Sequence, residues 1–164
     1  MPIEIRPIRA ADAASFNAAV GIVAREKRYL YFTDAPPLAD TEAVVRRALE
    51  LRTPLLVLAD GDSVLGWCNI FSLPRPIQSH IGVVAMGLLP AWREQGWGTR
   101  LLGQALAAAD AFGFTRIELT VYAGNLRAAA LYRKLGFVDE GVKRNAVLMD
   151  GVYLDEIMMA RLRA

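Results

Sequence analysis

Arg93-Glu94-Gln95-Gly96-Trp97-Gly98 separates an apolar run ending Leu88-Leu89-Pro90 from an amphipathic stretch that begins at Thr99. A strand, a glycine turn and a helix in that order can wrap main-chain N–H groups around a phosphate. The first four N–H groups of a helix have no partner within it, and the summed peptide dipole places partial positive charge there. Gly96 and Gly98 permit positive φ and a close approach of ligand to backbone, while Arg93 and Arg100 add full charges. The glycines do not spell a dinucleotide fingerprint, because Leu101 stands where its third glycine would be. No Gly-Lys-Ser/Thr follows to make a triphosphatase loop, so the pattern points to a phosphate ligand of another kind.

Composition bounds what such a site can serve. With 164 residues, 54% of them hydrophobic and 22% charged, the chain has enough for one well-buried core and too little for two full-sized domains. A single domain over 1–164 is expected. A net charge of +2 supplies no broad basic field for nucleic acid, which leaves local basic clusters serving a small anion. Cys68 is the only cysteine, so neither an internal disulfide nor a multi-cysteine metal site can form, and no metal is expected. Glu4, Arg6 and Arg9 interrupt the N-terminus too early for a signal-peptide core, and no run approaches about 18 unbroken apolar residues. The expected location is the cytoplasm, without a membrane partner.

The elements that must position the glycine turn follow from periodicity. Ile3, Ile5 and Ile8 suit a first strand, after which Asp12 offers an N-cap to a helix through about Val23. The aromatic, then proline-rich segment 29–37 reads as an irregular connection to a second helix starting near Asp40 or Thr41 and ending near Leu51. Pro54 to Ala59 and Val64 to Leu73 read as a hairpin about Asp60-Gly61-Asp62, and His80 to Leu88 as the next strand. Leu102, Ala105, Leu106 and Ala109 give the helix after the glycine turn its buried stripe, which Gly113 stops. Arg116 to Tyr122 alternates as a strand, Asn125 to Leu135 is helical with Gly136 as its stop, and strands 137–143 and 152–162 flank the Asp150-Gly151 turn. This order describes an α/β sheet layered by helices.

Arg93-x-x-Gly96-x-Gly98, followed in register by Asn125-x-x-Ala128-x-x-Leu131-Tyr132-x-Lys134-x-Gly136-Phe137, resembles the GCN5-related N-acetyltransferase (GNAT) superfamily. The resemblance spans the chain from first strand to last. It implies a mixed, mostly antiparallel seven-stranded sheet flanked by about four helices and splayed between the fourth and fifth strands. It implies acetyl-CoA as donor, with the pyrophosphate on the N–H groups of Gln95, Gly96, Trp97, Gly98 and Thr99, and with Arg93 and Glu94 in the same turn. The pantetheine arm would lie along Met86, Gly87 and Leu88, main chain to main chain, where a free N–H could also polarise the thioester carbonyl. Asn125 would contact that arm or cap its helix, and both can hold. Tyr132 occupies the place of the family's proton donor to the departing thiolate, or is a core aromatic. Trp92 and Trp97 are expected to brace the turn rather than stack on adenine. Glu94 puts a carboxylate beside the phosphate, so its side chain should point outward.

The closing Asp150-Gly151-x-Tyr153-x-Asp155 resembles members acting on small molecules, amino acids or exposed protein N-termini. The general base is the gap: residues 81–88 carry no carboxylate, leaving His80 at the start of that strand and Glu118 on its neighbour. Deprotonating a lysine-like amine at pH 7 costs about 4.6 kcal/mol, against about 1 kcal/mol for an α-amine near pKa 7.8. An α-amino or amino-acid-like small-molecule acceptor, attacking directly in a ternary complex, is therefore favoured over a polyamine. Contacts to it are expected from Glu26, Tyr29, Tyr31, His80 and Glu118. The alternatives are a catalytically silent CoA-binding module, which the missing base would permit, and acetylation of a protein N-terminus. Cys68 reads as a small buried hydrophobe. The terminal strands offer edges for a homodimer.

Overall fold

The computed structural model describes residues 1–163. Seven strands form one sheet in the order β1-β2-β3-β4-β5-β7-β6. They are β1 (Ile3–Pro7), β2 (Leu55–Asp60), β3 (Ser63–Ser72), β4 (Ile81–Leu88), β5 (Arg116–Tyr122), β6 (Val138–Met149) and β7 (Val152–Leu162). The helices are α1 (Ala13–Arg25), α2 (Leu38–Leu51), α3 (Trp97–Phe112) and α4 (Leu126–Lys134). Every neighbouring pair is antiparallel except β4 with β5, which the α3 crossover makes parallel. The predicted mixed sheet and its helical layers are those observed.

Alternation along the central strands divides the core into two layers. Cys68, Ile70, Ile117, Leu119 and Val121 point toward α3 and α4 and pack on Leu101, Leu102, Ala105 and Phe114. Val57, Ala59 and Trp67 face the opposite way and pack on Phe16, Val20, Val23 and Val45 of α1 and α2. Residues β4 and β5 turn to this second face, notably Ala85, Thr120 and Tyr122, meet fewer protein atoms and line open space instead.

Four boundaries differ from the sequence reading, each for a local reason. Asp12 does not cap α1 with its side chain; its carboxylate takes two hydrogen bonds from the buried Arg6 guanidinium, at 2.7 and 3.0 Å, and one from the Arg9 N–H. Helix α2 begins at Leu38 rather than Asp40 or Thr41, because the Pro37 carbonyl accepts the first helical N–H. Helix α3 begins at Trp97 rather than Thr99, with Gly96 in the left-handed region at φ 84°. Strand β6 does not stop near Lys143 but runs to Met149 by way of two register shifts, one of them spanning Asn145 at φ 52°.

The Arg6–Asp12 pair ties the edge strand to the first helix with both partners out of water. Hydrogen bonding from Arg6 holds the Asp12 carboxyl below the usual carboxylate range, so its stabilisation is present above pH 4 and lost as pH falls through the lowered folded-state value. Asp12→Ala leaves a buried unpaired guanidinium and is expected to destabilise the chain by about 3–5 kcal/mol at pH 7. Urea denaturation should show that deficit shrinking as the pH is brought below 4.

Candidate active site

Strands β4 and β5 run side by side for three residue pairs, Ile81 with Arg116, Gly82 with Ile117 and Val83 with Glu118, and then separate. The closed end is fixed by the His80 carbonyl, which accepts from the Thr115 and Arg116 N–H groups. Beyond it β4 stays paired with β3 through Leu88, while β5 pairs only with β7. Leu89 donates its N–H to Leu65 of β3, so by alternation the main-chain groups of Val84, Met86 and Leu88 face the gap. That leaves hydrogen-bonding backbone without a strand partner; Arg93 Nε answers the Leu88 carbonyl, and the rest is open to a ligand or water.

A cleft of about 520 Å³ occupies the gap, lined by Met86, Gly87, Leu88, Gly96, Gly98, Thr99, Asn125 and Tyr132 among others. The N-terminus of α3 opens onto it. A Cβ on Gly96 would meet no protein atom within 4 Å, so the space over that turn is free for a ligand. Gly87 is glycine for another reason: a Cβ there would come within 2.5 Å of the Trp67 ring. Asn125 caps α4 by accepting the Ala128 N–H at 3.2 Å, which leaves its amide NH2 for the cleft. Gln95 turns its side chain back to the Ala91 carbonyl, and Trp97 lies under the Arg100 guanidinium at 4.5 Å, bracing the turn.

Of the two charges in this turn, Arg93 is placed differently from expectation and Glu94 as expected. Arg93 does not offer its guanidinium to a phosphate: it makes a bidentate pair with Glu26 at 2.6 and 2.8 Å, donates from Nε to the Leu88 carbonyl, and stacks over Tyr29. Glu26 is correspondingly consumed as its partner. Glu94, in left-handed backbone at φ 60°, points outward as anticipated, to Arg127 at 2.7 Å. Arg127, a residue the sequence reading passed over, thereby stands at the rim of the cleft.

A second cavity of about 490 Å³ adjoins the first on the α1/α2 side, and Tyr29, Met86, Thr120, Tyr122 and Tyr132 line both. Its walls are largely aromatic and aliphatic, including Phe16, Leu30, Phe32, Val44, Trp67 and Phe71. Glu156 of β7 opens into it although only 4% exposed. The Tyr31 hydroxyl donates to Glu156 Oε2 and also contacts Thr120 Oγ1 at 2.8 Å. Burial, and then the neighbouring carboxylate, push the Tyr31 phenol above its ordinary value, so it stays protonated as a donor. Asn69 also lines the cavity, with its buried Oδ1 accepting no hydrogen bond.

Tyr29 and Tyr31 line the second cavity, whereas the two suggested bases line neither. His80 sits at the closed end of β4, exposed and outside both cavities. Glu118 lies in the last pair before the strands part, lines neither cavity and is held by Arg116 at 2.9 Å. Sequence reasoning missed Glu156: it follows Asp155 directly, and only the alternation of β7 turns it inward while Asp155 accepts the Asn145 N–H near the surface. Tyr132 borders both cavities and packs on Phe137 with ring centroids 5.8 Å apart, so it is partly core and partly wall. Burial raises its phenol well above the ordinary value. Cys68 is fully buried and its thiol is pushed up to about 12, which removes it as a nucleophile. Among the described residues no group of three or more His, Cys, Asp or Glu side chains is placed to hold a metal ion. No helix there is long and apolar enough to cross a membrane.

A parallel strand pair parts over a helix N-terminus, with a cleft of about 520 Å³ on one side and a cavity of about 490 Å³ on the other, an arrangement with room for two ligands. Residues 22–137 match the acetyltransferase (GNAT) family, and the chain belongs to that family. It is 33% identical over 110 residues to the L-amino acid N-acetyltransferase AaaT of Escherichia coli, covering 66% of this chain and 67% of that one. A GNAT-family acetyltransferase from Streptococcus pneumoniae superposes with a TM-score of 0.92 at 26% identity, over 99% of this chain and all of that one. The fold is shared with a phosphinothricin acetyltransferase of Sinorhizobium meliloti in complex with acetyl-CoA, at a TM-score of 0.91 and 22% identity, covering 99% and 89% of the two chains. Enzymes of this family are N-acetyltransferases that use acetyl-CoA.

Gly96→Val fills the open space over the turn without striking the protein. It is expected to abolish the thermal stabilisation given by coenzyme A while lowering the unliganded protein's own stability by only about 1–2 kcal/mol, the strain of a left-handed side chain.

Proposed function

We propose that this chain transfers the acetyl group of acetyl-CoA directly to the primary amine of a small molecule, favouring an α-amine, within a ternary complex. The observation that carries this reading is the parting of β4 from β5 between a donor-shaped cleft and a separate acceptor-shaped cavity that share Tyr132 and Met86. AaaT, the relative named for acetylating L-amino acids, supports the α-amine class.

The residues present fit the donor. Trp97, Gly98 and Thr99 N–H groups at the α3 terminus hold the diphosphate, and Met86 and Leu88 main chain pairs with the pantetheine arm. Arg127 adds charge at the rim, and the Asn125 amide reaches the arm. Bound there, acetyl-CoA supplies an acyl carbon to which the amine nitrogen bonds as the carbon–sulfur bond breaks.

Glu156 takes the role that neither His80 nor Glu118 can reach. Its Oε2 is fixed by Tyr31, while Oε1 accepts no hydrogen bond from the described residues and is free to receive an ammonium proton. Removing that proton from an α-amine costs about 1 kcal/mol at pH 7, which one carboxylate with water can meet. At the other side Tyr132 delivers its hydroxyl proton to the departing sulfur. A phenol raised by burial donates reluctantly in the resting protein, so the transfer depends on the developing thiolate lying against it.

Tyr132→Phe is expected to lower kcat by about 10²-fold and to leave coenzyme A binding intact, read by thiol release and calorimetry. Because the Tyr132 phenol is raised, the wild-type rate should show no alkaline decline up to about pH 10. Glu156→Gln keeps the Tyr31 contact and should cut kcat/KM by about 10²-fold, with the loss narrowing as pH rises and free amine becomes abundant. Equal turnover by Glu156→Gln at pH 7 would overturn the assigned role.

A further inference from the structure

The acceptor cavity contains a buried anion and no cation. Its two ionisable carboxylates are Glu156 at the floor and Asp40 on α2. Among the described residues no Lys, Arg or His lines it. Arg93 belongs to the neighbouring cleft with both terminal nitrogens committed to Glu26, and Arg75 stands exposed on the loop after β3, outside the lining.

Resting on the transfer reading above, we infer that the acceptor is an apolar primary amine bearing no carboxylate, its ammonium held by Glu156 Oε1. Both charged side chains that line the cavity are carboxylates, so it suits a cationic head group. Phe16, Phe32, Val44, Trp67 and Phe71 offer an apolar body its surroundings. A free amino acid would bring its carboxylate into a space whose charges are both negative and where nothing positive receives it, and an unpaired buried charge is strongly disfavoured. The same chemistry arises from two sources: an amine adjacent to a carboxamide, as in an amino-acid amide or a small peptide, and a decarboxylated monoamine. The first has the advantage in proton removal, since an α-amine beside an amide carbonyl titrates near pKa 7.8. This departs from what the name of AaaT states for that protein.

L-phenylalaninamide, phenethylamine and L-phenylalanine share a benzyl body and a primary amine and differ only in the carbon substituent. Each is tested on the full chain in two ways: thiol release from acetyl-CoA, and calorimetric binding to protein saturated with non-acetylated coenzyme A. The amide and phenethylamine are expected to bind and turn over at least about tenfold better than the free acid, with the leading arm identifying the source. Asp40→Lys, at an exposed position, should narrow the amide-to-acid ratio severalfold while leaving coenzyme A binding unchanged. Preference for the free acid, most plainly one lost in Arg75→Ala, overturns the inference and leaves acetyl transfer standing. An unchanged ratio in Asp40→Lys overturns its electrostatic basis. Amide binding without thiol release in any arm upholds the cavity's chemistry and overturns the transfer reading. No binding and no release in any arm overturns both.

Discussion

Everything in this structure that can handle a ligand follows from two parallel strands that share three residue pairs and then diverge. A continuously paired β4 would have satisfied all of its main chain within the sheet. By parting from β5 it leaves Val84, Met86 and the N–H of Leu88 unanswered, aimed at a space that α3 enters with its own unanswered N–H groups. Two orphan sets, from a strand end and a helix start, thus converge on one cleft. The crossover ordering strand, glycine turn and helix makes that convergence a matter of chain connectivity, since α3 must begin where β4 ends.

The second layer of organisation is the irregular segment between α1 and α2, which is fixed by side chains rather than by backbone ladders. Glu26 holds Arg93 at the end of β4, and Tyr29 lies under the same guanidinium. Leu30 offers its carbonyl to the Tyr122 hydroxyl, and Tyr31 reaches Glu156 and Thr120. This segment therefore bridges both sides of the divergence and closes the acceptor cavity over the sheet. Its hydrogen bonds are made largely by side chains near solvent, whereas the Arg6–Asp12 pair and the two core layers are buried within the scaffold.

How much of this could be read beforehand depended on how local the information was. The glycine turn, the Asn125 cap, the buried stripe of α3 and the alternation of β5 are all written within a few residues, and they appear where the spacing placed them. The outward Glu94 and the inert Cys68 followed from elementary chemistry of charge and burial. Partners far apart in the chain were invisible. Nothing near Arg93 announces Glu26, and the arginine looked like a phosphate ligand because its neighbours were glycines. Asp12 looked like a helix cap because Arg6 was not known to lie beneath it. Glu156 was overshadowed by the Asp150-Gly151 turn motif, although its position in an apolar strand made it the costlier and more informative residue. His80 and Glu118 flank the right strands, but register puts His80 at the closed end and an ion pair with Arg116 holds Glu118.

Amide hydrogen exchange, resolved by residue, tests the divergence itself. In the unliganded chain the Met86 and Leu88 amides should exchange far faster than those of Gly87, which pair with β3, and coenzyme A should protect both together with the Gly98 and Thr99 amides. Met86 and Leu88 already protected as strongly as Gly87 without ligand, or left unprotected when coenzyme A is bound, would contradict the account.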